Sequence, residues 1–154
     1  MHSRSEALSR RNFLLAGAAG FVVTALGTSL AEATPEQVAE EVKKVTGGKA
    51  TAEGKIKLDL PSIAENGLVV PLNFEIESPM TEKDYVKNVH FYAEGNPNPL
   101  LAAFHFTPLI PKASAQIRIR LAQTQNIVAV AEMSDGKLYM AKKEVKVTIG
   151  GCGG

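Results

Sequence analysis

After Gly54 the chain alternates apolar and polar residues with a period of two. Ile56, Leu58 and Leu60 alternate with Lys55, Lys57 and Asp59, and Val70, Leu72, Phe74 and Ile76 with Asn73, Glu75 and Glu77. Val89, Phe91 and Ala93 form a third run, and Leu100, Ala102, Phe104 and Phe106 a fourth. Ala115, Ile117, Ile119 and Leu121 form a fifth, Gln125–Glu132 is a sixth, and Lys137–Ile149 a seventh, with a kink expected at Lys142-Lys143. Turn residues separate the runs at Glu65-Asn66-Gly67, Ser78-Pro79, Gly95-Asn96-Pro97, Pro108 to Pro111 and Asp135-Gly136. About seven strands so spaced predict a mainly β fold, an immunoglobulin-like antiparallel β-sandwich.

One helix precedes the strands. Thr34-Pro35-Glu36-Gln37 has the form of a capping box with proline at the first helical position. Val38, Val42 and Val45 then fall on one face, and Gly47-Gly48 ends the segment. A short N-terminal amphipathic helix of this kind needs a surface to lie on. Two strands offer one, because Ile127–Ala131 and Leu100–Phe106 are apolar on both faces, where a half-exposed antiparallel strand has a polar face. Such a strand is either central, beneath the helix, or covered by a partner subunit.

Residues 1–33 read as an address. Ser9-Arg10-Arg11-Asn12-Phe13-Leu14 resembles the twin-arginine export signal, with Arg10 and Arg11 as its defining pair. A mildly apolar stretch, Phe13–Leu30, follows, and Ala31-Glu32-Ala33 is a small-x-small cleavage pattern. The expected organisation is therefore a signal peptide at 1–33, a β-sandwich with its helix at 34–149, and a flexible arm at 150–154. The expected location is the periplasm, with no membrane attachment once the signal is removed.

Charge and composition narrow the function. The 154 residues carry 17 Lys and Arg against 16 Asp and Glu, too balanced for a nucleic-acid-binding field. The chain has one cysteine and no tryptophan, which excludes an internal disulfide, a multi-cysteine metal centre and the Cys-Trp-Cys core of antibody domains. No cofactor motif stands out, and no metal site or catalytic residue is assigned. His90 and His105 read as packed or solvated strand residues. Arg118, Arg120 and Lys142-Lys143 read as solvated strand faces, with Arg118 and Arg120 also able to attract an anion, and the stretch from Lys83 to Lys87 reads as a loop.

The single cysteine sits in Gly150-Gly151-Cys152-Gly153-Gly154. Glycine gives the backbone its widest freedom, so these residues form an arm reaching roughly 17 Å past the last strand. A nucleophilic enzyme holds its thiol rigidly beside a base, which such an arm cannot do. No Lys, Arg or His lies among the last six residues, so nothing local lowers the thiol from its usual pKa of ~8.5. From the residues alone, Cys152 is either a dimer-forming thiol on a secreted binding or adhesion module, or a covalent carrier handle.

The twin-arginine signal, the β domain and the Gly-Gly-Cys-Gly-Gly end together resemble the SoxY family, sulfur carriers of the Sox thiosulfate-oxidising system. Leu60-Pro61-Ser62-Ile63-Ala64-Glu65-Asn66-Gly67 with Val70-Pro71 is similar to a family segment. The resemblance implies a non-catalytic subunit that binds sulfur covalently at Cys152, with Gly150, Gly151, Gly153 and Gly154 giving the arm freedom and access. It implies a SoxZ partner subunit in a heterodimer. Transient docking to the haem protein SoxAX, the manganese hydrolase SoxB and the sulfane dehydrogenase SoxCD is implied as well. The cofactors belong to those partners, and the carrier itself holds none.

Overall fold

The computed structural model describes residues 33–150. Its elements run helix α1 (Pro35–Thr46), then strands β1 (Ile56–Asp59), β2 (Ile63–Asn66), β3 (Val70–Ile76) and β4 (Val86–Ala93). Strands β5 (Leu100–His105), β6 (Ala113–Ile119), β7 (Gln125–Met133) and β8 (Leu138–Ile149) complete the chain. A three-stranded sheet, β1-β3-β6, faces a five-stranded sheet, β2-β8-β7-β4-β5. The mainly β, immunoglobulin-like sandwich expected from the alternation is what the chain forms. No helix among the described residues is long and apolar enough to cross a membrane.

Alternation places the core between the sheets. Leu72, Phe74 and Ile76 of β3 meet Val89 and Phe91 of β4 and Ile127, Ala129 and Ala131 of β7, all buried. Phe74 is the centre of an aromatic group, its ring 4.7 Å from Phe91, 5.1 Å from Phe104 and 6.3 Å from Phe106 between centroids. Tilted and edge-on rings of this kind add attraction beyond the area they bury.

The helix forms as its sequence predicts. Thr34 accepts from the Gln37 backbone while the Gln37 side chain accepts from the Thr34 N–H, closing the capping box. Gly47, at φ 62°, supplies the left-handed C-cap. Val38 packs on Tyr92, Val128 and Val130, with Val42, Val45 and Met140 around them. This resolves one of the two doubly apolar strands: β7 is central, with Ile127, Ala129 and Ala131 turned to the core and Val128 and Val130 to the helix. The other run behaves differently. β5 is the edge of the five-stranded sheet, and Leu101, Ala102 and Phe104 are only partly buried against the core.

Three details depart from the pattern of apolar positions. The described residues form eight strands, because β2 forms over Ile63–Asn66, where only Ala64 is buried and no alternation can show. β2 runs parallel to β8, pairing Ile63 with Lys146 and Asn66 with Ile149, so the sandwich is antiparallel in every strand pair but one. No kink occurs at Lys142-Lys143, since the β7–β8 ladder continues without a register shift from Glu132–Leu138 to Gln125–Val145. Those lysines have partners instead: Lys142 pairs with Glu94 at 2.6 Å, and Lys143 donates to the Leu60 carbonyl at 2.7 Å.

Candidate functional site

Strand β8 carries the chain to the glycine-rich segment, and it is paired up to its last residue. β7 pairs with Leu138 to Val145 of it and β2 with Lys146 to Ile149. The Val147 N–H donates to Thr124 Oγ1 at 2.9 Å, and Thr148 Oγ1 donates to the Glu65 carbonyl at 2.9 Å. At the end, the Gly67 N–H donates to the Ile149 carbonyl and the Leu121 N–H to the Gly67 carbonyl, both at 2.8 Å. Gly67 thus ties the end of β8 to the segment that follows β6.

Gly150 continues this packed root. A Cβ placed on Gly150 would overlap the carbonyl oxygen of Ala122 and lie 3.4 Å from its carbonyl carbon. The sequence alone places this residue in the arm; its neighbours give a separate reason for glycine, close approach of two backbones that only glycine permits. Gly151, Cys152, Gly153 and Gly154 lie outside the described residues, as do Arg10 and Arg11.

The Ala122 segment is held by a buried polar cluster. Asn96 is 1% exposed. Its Nδ2 donates to the Arg120 carbonyl at 2.8 Å, and its Oδ1 accepts from the Ala122 N–H at 2.9 Å and from Gln125 Nε2 at 2.8 Å. Gln125, also buried, accepts the Gly95 N–H at 2.7 Å and donates to the Gln123 carbonyl at 3.1 Å. The Asn96 carbonyl accepts from the N–H of Ala33, itself buried, so the first described residue is tied to the cluster that holds the Ala122 segment. Sequence reasoning found only a turn at Gly95-Asn96-Pro97. A buried asparagine of this kind leaves no periodic signal, because it serves loop backbone rather than a strand face.

The other candidates are placed as follows. Arg118 and Arg120 are exposed, near the end of β6 and just after it, beside a cleft of about 200 Å³ also lined by Asn98 and Leu100. His90 and His105 come together on β4 and β5, ring centroids 6.5 Å apart, and His105 Nδ1 lies 2.6 Å from Asn88 Oδ1. Asn88 in turn donates to Glu132 at 2.7 Å. Burial pushes His90 below the ordinary histidine range; His105 adds to this, and Glu132 opposes it. Hydrogen bonding from Asn88 and pairing with Lys87 hold Glu132 below the usual carboxylate range against the opposing effect of its burial. Among the described residues, no three His, Cys, Asp or Glu side chains gather to hold a metal ion.

Replacing Gly150 with alanine tests the root directly. The Ala122 carbonyl is fixed from both sides, so the strain is relieved by turning the end of the strand outward. The expected result is a melting temperature close to the parent's and about a tenfold or greater fall in any partner-dependent reaction of Cys152, since small misplacements are costly to reacting groups. Circular dichroism melts and turnover assays on one preparation read the two effects separately.

Comparison with known proteins reaches the same region. The family model described as "Sulfur oxidation protein SoxY" matches residues 42–152, from within α1 through all eight strands to Cys152. Among solved structures, the sulfur carrier protein SoxY from Chlorobium limicola f thiosulfatophilum is 32% identical. The match has a TM-score of 0.62 and covers 74% of this chain and 98% of that one. The superoxide reductase (neelaredoxin) of Ignicoccus hospitalis is 20% identical, with a TM-score of 0.54 and coverage of 75% and 94%, a likeness of fold alone. No curated protein matches the chain at a significant level.

Proposed function

The chain belongs to the SoxY sulfur oxidation family, and from that premise we propose that it is a periplasmic carrier holding thiosulfate-derived sulfur on the thiol of Cys152. The observation that carries this reading is the family match extending through Cys152, the only cysteine in the sequence. The packed root at Gly150 supports it, because β8 is ordered to its last residue and brings a single thiol to the edge of a rigid body. On this reading the protein catalyses nothing itself. It enters the periplasm by the twin-arginine route, through Arg10 and Arg11, and works as a heterodimer with a SoxZ subunit.

The chemistry is that of a thiol used as a covalent handle. SoxAX removes two electrons as the Cys152 thiolate joins the outer sulfur of thiosulfate, giving Cys–S–S–SO3⁻. SoxB adds water to this conjugate and releases sulfate, leaving a persulfide on Cys152. Where SoxCD is present, it oxidises the remaining sulfur with further water, and a second hydrolysis restores the thiol. Each intermediate is joined through a sulfur–sulfur bond, which a reductant cleaves. An unactivated thiol suits this work: reactivity comes from each partner's active site, and cargo is not shed between them.

Intact mass of the protein purified from the periplasm of cells grown on thiosulfate tests the reading. The expected spectrum shows a chain lacking its first thirty-odd residues, with increments of sulfur and of thiosulfate that dithiothreitol removes. A preparation holding only free thiol or a disulfide-linked dimer during turnover overturns the carrier role in favour of a binding module with an incidental thiol.

A further inference from the structure

The outer face of the five-stranded sheet carries a polar group that the core does not use. On β4 and β5, Val89, Phe91 and Phe104 turn to the core, so Asn88, His90 and His105 stand on the opposite face, the one on which α1 lies. The register sets His105 opposite Asn88 and His90 opposite Ala103, which makes the two histidines diagonal neighbours. Their ring centres are 6.5 Å apart. His90 is half-buried and stacks on Tyr92 at 6.3 Å, whereas His105 is exposed. They are the only histidines after residue 33, since the third is His2.

Hydrogen bonds decide which ring nitrogens are left over. Glu132 accepts from Lys87 at 3.3 Å and from Asn88 Nδ2 at 2.7 Å, so the other amide atom, the acceptor Oδ1, faces His105 Nδ1 at 2.6 Å. His105 Nδ1 therefore carries the proton, and in the neutral ring Nε2 then has a bare lone pair. His90 Nδ1 is buried and has no hydrogen-bond partner. Each ring thus has a nitrogen that no described residue satisfies.

We propose that His90 and His105 together hold a borderline divalent cation, copper(II) most tightly. An ion bonded about 2.0–2.1 Å from a ring nitrogen lies about 3.2 Å from the ring centre, so two rings that share an ion have centres up to about 6.5 Å apart. The relay from His105 through Asn88 to Glu132 is the support such a ligand uses, because a metal-bound histidine donates its other N–H to a group that fixes the ring. A metal bond also satisfies the buried His90 nitrogen, which the fold leaves unpaired. Ligand chemistry selects the ion. The carboxylate of the group is taken up by Asn88 and Lys87. Calcium and magnesium need oxygen ligands, whereas neutral imidazoles suit copper and zinc, and copper(II) binds a given nitrogen site most strongly. Two protein ligands leave the other positions to water, so the ion is exchangeable and not a structural part of the fold.

The site is remote from the thiol. Glu132 lies opposite Leu138, the first residue of β8, and the arm leaves after Ile149, its last. The 12 residues of β8 span roughly 36 Å, while Cys152, two residues past Gly150, reaches roughly 7 Å. Metal binding there is therefore independent of sulfur carriage.

Calorimetric titration with copper(II), and electron paramagnetic resonance of the loaded protein, test the proposal. The protein is the chain from Thr34 onward, without a histidine tag and carrying Cys152→Ser, which removes the thiol as a competing ligand. The expected result is one copper per chain with a spectrum of two nitrogen ligands. His90→Gln and His105→Gln each lower the affinity about 100-fold or more, and Asn88→Ala about tenfold. His105 is exposed, so His105→Gln melts close to the parent without copper, and its loss of binding is not a loss of fold. Affinity that survives either histidine substitution, a spectrum without two nitrogen ligands, or the absence of saturable binding overturns the proposal.

Discussion

Cys152→Ser is expected to reduce thiosulfate-dependent oxidation to background while leaving the melting temperature within about a degree of the parent. The loss is complete because the chain has no second thiol to take over. A serine oxygen forms no sulfur–sulfur bond, so the first step of the cycle has no product. The stability is unchanged because the core, the ladders of both sheets and the polar cluster at Asn96 all lie within residues 33–150. An isosteric substitution two residues beyond them removes none of those contacts, and substitutions of that sort ordinarily change stability by less than about 0.5 kcal/mol. Oxygen uptake or cytochrome reduction with the reconstituted partner set measures the first effect, and calorimetry the second. A serine variant that remains active refutes the carrier role even if the family membership stands. Valine at Gly151 or Gly153 should fall between the two proteins, folded and slowed, because branched side chains obstruct entry into a narrow channel.

The same contrast shows what could be read from residues alone. Strand alternation exposed the sandwich because its signal is repeated: Leu72, Phe74 and Ile76 are buried together on one face, as a period of two requires. The helix was legible for a similar reason, since capping box, valine stripe and terminal glycine agree with one another. β2 was not legible, because four residues with one buried side chain carry no period. β5 shows the opposite failure. Its run is apolar on both faces, yet it lies at the sheet edge, and an apolar strand does not state what covers it. Within the candidate site, the Gly-Gly-Cys-Gly-Gly segment stood out by composition. The root beneath it did not, because Ala122, Asn96 and Gln125 are joined by tertiary hydrogen bonds spanning 24 to 30 positions.

That root makes Asn96→Ala the most destabilising polar substitution expected at this end of the molecule. Truncation removes three side-chain hydrogen bonds at once, leaving the Ala122 N–H and the Arg120 carbonyl without this partner and the Gln125 amide with only its bond to the Gln123 carbonyl. An unpaired buried polar group costs about 1–3 kcal/mol, and some of these groups are only part-buried, so a loss of about 3 kcal/mol is expected. Domain stabilities are about 5–15 kcal/mol, which makes this a large fraction of the total. It should appear as a lower urea midpoint with an unchanged slope. The substitution also releases the Ala122 carbonyl from the position that Gly150 packs against, so partner-dependent turnover falls even at temperatures where the variant remains fully folded. Labelling of Cys152 by a small reagent is unaffected, because the thiol needs no fixed position to react with a molecule that diffuses freely. A variant that loses stability but keeps full turnover when folded would show that Asn96 serves the fold alone. Loss of both, with Gly150→Ala losing turnover only, establishes that the sandwich is built to aim the arm as well as to carry it.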